Sequence, residues 1–247
     1  MHHTMADGTW DRFLNAYAQV TAAAVRPTPD NAVTEIDRLI RTAWHDKLPV
    51  YMELPSDIAY LDIEVPAAPL VLAEPPSDPE RLRSCTAAIA CRLSQAKSPA
   101  ILVDLDADRF GAAGEVMGLA EKMQLPVAVA ATAKAVIDET SPHFAGIYNG
   151  KGSDPRTREA IEASDCLLSI GYRPIDLTSG SFTATLPADT IRARGHSVDV
   201  GDDNYQAVAL KEVSAASSTR FRRSRTAARA TSRCRPQMAI MLTARRS

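Results

Sequence analysis

The chain has 247 residues, 45% hydrophobic and 23% charged, with a formal net charge of −2. That is room for one large or two small domains of an ordinary soluble protein, and the overall charge gives no attraction to a polyanionic partner. Aromatic residues make up only 5% while alanine is abundant, a composition that favours helices and small-residue packing over an all-β sandwich.

The average hides an asymmetry. From Ser214 to Ser247 there are nine arginines and no Asp, Glu or Lys, and Ala, Arg, Ser and Thr fill 26 of the 34 positions. The preceding 213 residues carry the acidic excess. The longest apolar stretch, Leu125 to Ala133, is far below the roughly 20 residues that span a bilayer. The N-terminus lacks a basic region followed by an apolar one, so a cytoplasmic protein is expected. Cys85, Cys91, Cys166 and Cys234 form no CxxC pair and no zinc-ligand spacing, which points to reduced thiols.

In chain order, Asp11 to Val25 reads as a helix with Phe13, Leu14, Tyr17 and Val20 on one side. Thr28-Pro29 is a favourable cap and first helical residue. It opens a second helix over 30–47, with Val33, Ile36, Ile40, Ala43 and Trp44 at helical spacing. Pro49 to Leu54 follows as a short strand. Residues 1–60 therefore form one unit, whose apolar faces and strand edges are expected to be exposed. Five of the sixteen prolines fall in residues 62–79, and they predict an extended linker.

From residue 80 onward, helices and strands alternate. Helices are predicted over 79–97, 114–123 and 156–163, and strands over 100–105, 126–131, 166–170 and 198–200. This alternation predicts an α/β fold, a Rossmann-like domain with a mainly parallel sheet covered on both faces. Residues 214–247 show no apolar periodicity and are expected to stay disordered as a basic tail. Lys211-Glu212-Val213 reads as the start of a helix that goes no further.

Few residues stand out for chemistry. His2-His3 could exchange protons near neutral pH, but two histidines after a start Met are also what a frayed terminus looks like. The stretch Gly146 to Pro155 has three glycines near a helix start, which could cradle a phosphate. It lacks P-loop spacing, and Phe110-Gly111-Ala112-Ala113-Gly114 lacks the GxGxxG dinucleotide pattern; both read as structural turns. Asp104, Asp106 and Asp108 lack the glycine and distal glutamate of a calcium loop and read as loop residues capping the next helix. His45, His143 and His196 are scattered. In the arginine-rich tail Phe221 is the single aromatic, which argues against nucleic acid.

Taken in order, His2-His3-Thr4, Asp7-Gly8, Thr28-Pro29, Ile36-Asp37-Arg38, Lys47 to Tyr51 and Leu54-Pro55-Ser56-Asp57 resemble thiamine-diphosphate-dependent 2-keto-acid decarboxylases of the pyruvate/indolepyruvate type. Ala133-Lys134, Gly146 to Gly150 and Ser169 to Arg173 resemble that family's central domain. The resemblance runs over residues 2–213. It implies that residues 1–60 close a partial α/β pyrimidine-binding domain, that 61–79 are a linker, that 80–213 are the central domain, and that 214–247 are an out-of-frame tail. It implies a catalytic role for His2 and His3 in positioning the keto acid and handling protons. It also implies thiamine diphosphate and Mg2+ as the family's cofactors, and assembly as a homodimer or homotetramer. No cofactor-binding or metal-binding residue is identified in this chain, because the family's activating glutamate and its GDG…N metal segment have no counterpart in it. A fragment inactive by itself is therefore expected, with a non-catalytic Rossmann-like binding or assembly module as the alternative.

Overall fold

A computed structural model describes residues 6–224; His2, His3 and the segment 225–247 lie outside the described residues. The chain divides into two compact units, 1–75 and 76–247.

The first unit contains α1 (Arg12–Ala18), β1 (Ala23–Val25), α2 (Ala32–Asp46) and β2 (Val50–Met52). β1 and β2 pair in parallel, with Ala24 opposite Tyr51. The helix predicted over 11–25 is thus shorter than expected. Its last three residues form a strand, because pairing with β2 outweighs the helical preference of the alanines. Tyr17 of α1 stacks on Tyr51 of β2 with ring centroids 4.0 Å apart. Arg26, just after β1, donates to Asp11 Oδ1 at 2.6 Å, the Trp10 carbonyl at 2.8 Å and Glu53 Oε1 at 2.9 Å. α2 ends at Lys47 in a left-handed conformation (φ 53°), which turns the chain into β2. Ile40, Trp44 and Met52 are exposed.

The second unit opens with α3 (Pro79–Gln95). Asp78 caps it by accepting from the Glu80 and Arg81 amides, and Pro79 occupies the first turn where no N–H is needed. There follow β3 (Pro99–Val103), α4 (Asp106–Arg109), α5 (Ala113–Met123), β4 (Val127–Ala130), β5 (Phe144–Tyr148), α6 (Pro155–Glu162), β6 (Cys166–Ile170), β7 (Ile191–Arg194), β8 (Ser197–Val200), β9 (Asp203–Gln206) and α7 (Leu210–Ser224). The sheet order is β5-β4-β3-β6-β7-β8-β9. The pairs from β5 to β7 are parallel, and β8 and β9 are added antiparallel. The expected Rossmann-like parallel sheet is therefore present, with its order reversing between β3 and β6.

Period-two alternation divides the core. Ile101, Val103, Val127, Val129, Leu168 and Ile170 face the larger layer with Ile89, Leu93, Val116, Leu119 and Leu210. Ala100, Leu102, Ala128, Ala130 and Leu167 face a smaller layer closed by Tyr148, Ile161 and Tyr172. Each fully buried aliphatic side chain contributes about 1.5–3 kcal/mol. Asp165 accepts from the Lys97 and Ser98 amides at 2.7 and 2.9 Å, fixing the entry into β3. Cys85 and Cys166 are buried free thiols.

α7 goes on past Val213, where the sequence reading ended it. Its inward stripe is serine: Ser214, Ser217 and Ser218 are buried, and Lys122 of α5 donates to Ser218 Oγ at 2.6 Å. Small side chains let α7 pack against α3 and α5 without apolar periodicity.

Candidate functional site

In an open parallel sheet, the loops beyond the strand C-termini at the point of order reversal are where ligands usually bind. Here that point lies between β3 and β6, and it is filled by the chain itself. Asp104 follows β3 and is almost wholly buried. Its Oδ1 accepts from the Leu105 amide at 2.8 Å and from Thr132 Oγ1 at 2.6 Å, and its Oδ2 accepts from the Arg173 amide at 3.4 Å. Asp106, also buried, pairs with Arg173 at 3.2 Å and Arg109 at 3.8 Å. Gly171 has φ 70°, and a Cβ there would run into Asp106. The aspartates thus join loops from three strands; neither gives a side-chain cap to α5, the next helix the sequence predicts, nor to the short α4 that precedes it. Asp108 is exposed.

The glycine-rich stretch 146–155 also turns out to be structural. Gly146 lies within β5, where a Cβ would strike Thr157. Gly150 has φ 52°, and an added Cβ would stand 2.5 Å from both the Ser179 carbonyl and Thr183 Oγ1. The loop amides are already bonded: Asn149 N donates to Ser153 Oγ, Lys151 N to Thr183 Oγ1, and Gly152 N to the Asn149 carbonyl. Asp154 caps α6 through the Arg156 amide, so most of the amides of this stretch are taken up by the chain itself. Behind the loop, the Tyr148 hydroxyl donates to Glu162 Oε1 at 2.9 Å. Burial, reinforced by that carboxylate, raises the phenol above its ordinary range.

Gly111 has φ 60° and turns α4 into α5. His196 meets Phe110 edge to face at 5.2 Å. His45 Nδ1 lies 2.6 Å from Asp46 Oδ1. Gly201-Asp202-Asp203-Asn204 belongs to the β8–β9 hairpin, where Asn204 donates to Asp199 Oδ1 at 2.5 Å. Among the described residues, then, the carboxylates at the sheet's C-terminal edge are engaged by the chain's own donors, and the hairpin acids turn a strand. The described residues do not fit a diphosphate-bound metal ion. Arg173 is the residue that sequence reasoning noticed without a role; its partners lie 67 and 69 residues away.

The sequence model of the thiamine pyrophosphate enzyme central domain matches residues 86–214, from the middle of α3 through the whole sheet to the first turn of α7. The chain belongs to the thiamine pyrophosphate enzyme family. Within it, the chain is similar to a pyruvate decarboxylase of Aspergillus terreus, at 36% identity over 217 residues covering 86% of this chain and 38% of that protein. It is similar also to pyruvate decarboxylase isozyme 2 of Saccharomyces cerevisiae, at 35% identity over 188 residues covering 74% and 33%. A pyruvate decarboxylase of Aspergillus fumigatus is 34% identical over 218 residues. The chain spans between a third and two fifths of the length of these relatives. Among the described residues no helix is long and apolar enough to cross a membrane.

Proposed function

We propose that this chain supplies the central domain and the closing part of the pyrimidine-binding domain of a non-oxidative 2-keto-acid decarboxylase. The carrying observation is that similarity to the pyruvate decarboxylases covers up to 86% of the chain, well beyond the family's central domain at 86–214. On this reading residues 1–60 belong to the pyrimidine-binding domain, 61–79 link it to the central domain over 80–213, and 214–247 are foreign to the family pattern. The substrate is pyruvate or an aromatic keto acid such as indolepyruvate, released as aldehyde and CO2. His2 and His3 orient the keto acid and hold protons at its carbonyl and carboxylate oxygens. Thiamine diphosphate with Mg2+, which the described residues do not hold, would supply the electron sink for decarboxylation in the full-length enzyme. The described residues contribute rigidity and subunit contacts in a cytoplasmic homodimer or homotetramer, and the 247 residues by themselves do not turn over.

The test is a graft. Residues 2–213 replace the matching region of the Aspergillus terreus enzyme, and aldehyde release from pyruvate and indolepyruvate is followed. A folded chimera that decarboxylates either acid supports the proposal, with kcat falling by about a hundredfold in its His2→Ala and His3→Ala forms. A folded chimera that binds thiamine diphosphate yet releases no CO2 would overturn it. Robust turnover by the isolated 247-residue chain would overturn its inactivity alone.

A further inference from the structure

The first unit carries a sheet edge and an apolar face that none of the described residues completes. β1 and β2 form a sheet of two strands, so the outer edge of β2 has no ladder partner among the described residues. Parallel strands are normally covered on both faces and flanked by further strands. Tyr51 turns to one face, where Tyr17 of α1 stacks on it. Val50 and Met52 turn to the other, and with Ile36, Ile40, Ala43 and Trp44 of α2 they line an uncharged groove of about 580 Å3. The chain's own linker adds Leu72 to that lining, next to the point where Arg41 donates to the Val71 carbonyl at 2.9 Å and Lys47 lies 3.5 Å from Glu74. Ile40, Trp44 and Met52 stay exposed.

A second feature of the same unit matches this one. Residues 61–65 alternate apolar and acidic side chains, which in an extended backbone puts Leu61, Ile63 and Val65 on one side and Asp62 and Glu64 on the other. That is the period of a strand covering an apolar face. Among the described residues, however, no backbone amide or carbonyl from Asp62 to Val65 is hydrogen-bonded, and Leu61, Ile63 and Val65 are exposed. Unpaired backbone with apolar side chains on one side is what an open sheet edge recruits. Pro66 ends the run by removing a donor. The turn over 55–61, closed by the Ile58 and Leu61 amides on the Pro55 and Ile58 carbonyls, separates the segment from β2 in its own chain.

We propose that two copies of this chain dimerise by exchanging residues 61–65, each copy laying its segment along the β2 edge and over the α2/β2 groove of the other. Each copy holds one unpaired strand and one unpaired edge, so the exchange is reciprocal and closes after two chains. Leu61, Ile63 and Val65 then continue the row of Val50 and Met52 over the groove, and the backbone of 62–65 gains a ladder. Asp62 and Glu64 give the segment negative charge, and Arg41, exposed on α2, meets a neutral carbonyl in its own chain, so opposite charges favour the encounter. The exchange uses the first unit alone and stands whether or not the chain serves a decarboxylase.

Sedimentation equilibrium of the full chain, from about 1 to about 100 µM, tests this. The parent is expected to reach twice the mass of a single chain. Ile63→Asp spoils the donated segment and Ile40→Asp the receiving groove. Both side chains are exposed, so each variant keeps its fold, which circular dichroism checks against the parent. Each variant alone is expected to stay at single-chain mass. Mixed in equal amounts they are expected to recover a dimer, since an intact segment on the Ile40→Asp chain meets an intact groove on the Ile63→Asp chain. A parent that stays monomeric leaves the groove to its own chain or to another protein and overturns the proposal, as does assembly beyond two chains. A dimer that survives Ile63→Asp belongs to another surface, one that survives Ile40→Asp seats the segment elsewhere, and a mixture that stays monomeric removes the exchange; each of these overturns it.

Discussion

Three glycines of the second unit separate two costs that are usually confounded. Gly201 has φ 63°, and an added Cβ would meet only the Arg92 side chain, at 3.5 Å. Gly201→Ala should therefore pay for the left-handed backbone alone, about 1–2 kcal/mol. Gly150 has φ 52° and would also bring its Cβ to 2.5 Å from the Ser179 carbonyl and 2.8 Å from the Ala184 amide. Both are backbone atoms held by the 173–184 segment. Overpacking of this kind adds about 1–3 kcal/mol, so Gly150→Ala should cost about 2–5 kcal/mol in all. Gly152 has an ordinary φ and a Cβ position 3.3 Å from the Asn149 carbonyl; its alanine variant should stay within about 0.5 kcal/mol of the parent. Urea unfolding followed by far-UV circular dichroism gives the three differences. Both tryptophans, Trp10 and Trp44, lie in the first unit, so tryptophan fluorescence serves as an internal control that should not move. A Gly150→Ala cost no larger than that of Gly201→Ala would refute the claim that the 149–153 turn and the 179–184 loop are packed backbone to backbone.

Two further outcomes are expected. Burial pushes the Cys85 thiol up to about 12, so iodoacetamide at mildly alkaline pH should leave it unlabelled in the folded chain and label it in urea; rapid labelling of the native protein would put it at the surface. Hydrogen bonds from the Lys97 and Ser98 amides hold the Asp165 carboxyl below its ordinary value of 3.8. Its stabilisation is complete above that value and disappears as pH falls through the lowered native one. The stability gap between parent and Asp165→Asn should accordingly be full at neutral pH and close in strong acid; a gap independent of pH would remove Asp165 from the entry to β3.

The elements legible in the sequence are those whose apolar pattern carries its own length. β3, β4 and β6 are continuous apolar runs because the sheet is covered on both faces, and α2, α3 and α5 show helical spacing. β1 escaped detection because Ala23-Ala24-Val25 continues a helical pattern, and becomes a strand only once Val50–Met52 lies beside it. β5 carries Gly146, and β7 alternates arginine with apolar residues, so neither stands out from a loop. α7 hides its buried stripe in serine. The Asp104–Asp106–Arg173 cluster could not be read at all, since strand order rather than spacing brings its members together. The histidine pair stands out by residue type and gains a role only through the resemblance, and the described residues do not reach it.

The order of the strands has a bearing on synthesis. The central strand β3 leaves the ribosome early, yet one of its two neighbours, β6, is translated only about seventy residues later. The helix that opens the unit, α3, packs against α7, the last element described. A nascent chain therefore carries the apolar side of α3 uncovered until nearly the whole unit has emerged, and it closes in a single late event rather than element by element. For a growing polypeptide this is the interval of greatest need for a chaperone. A ribosome stalled anywhere between β4 and α7 would present an unclosed sheet to the cell's quality control.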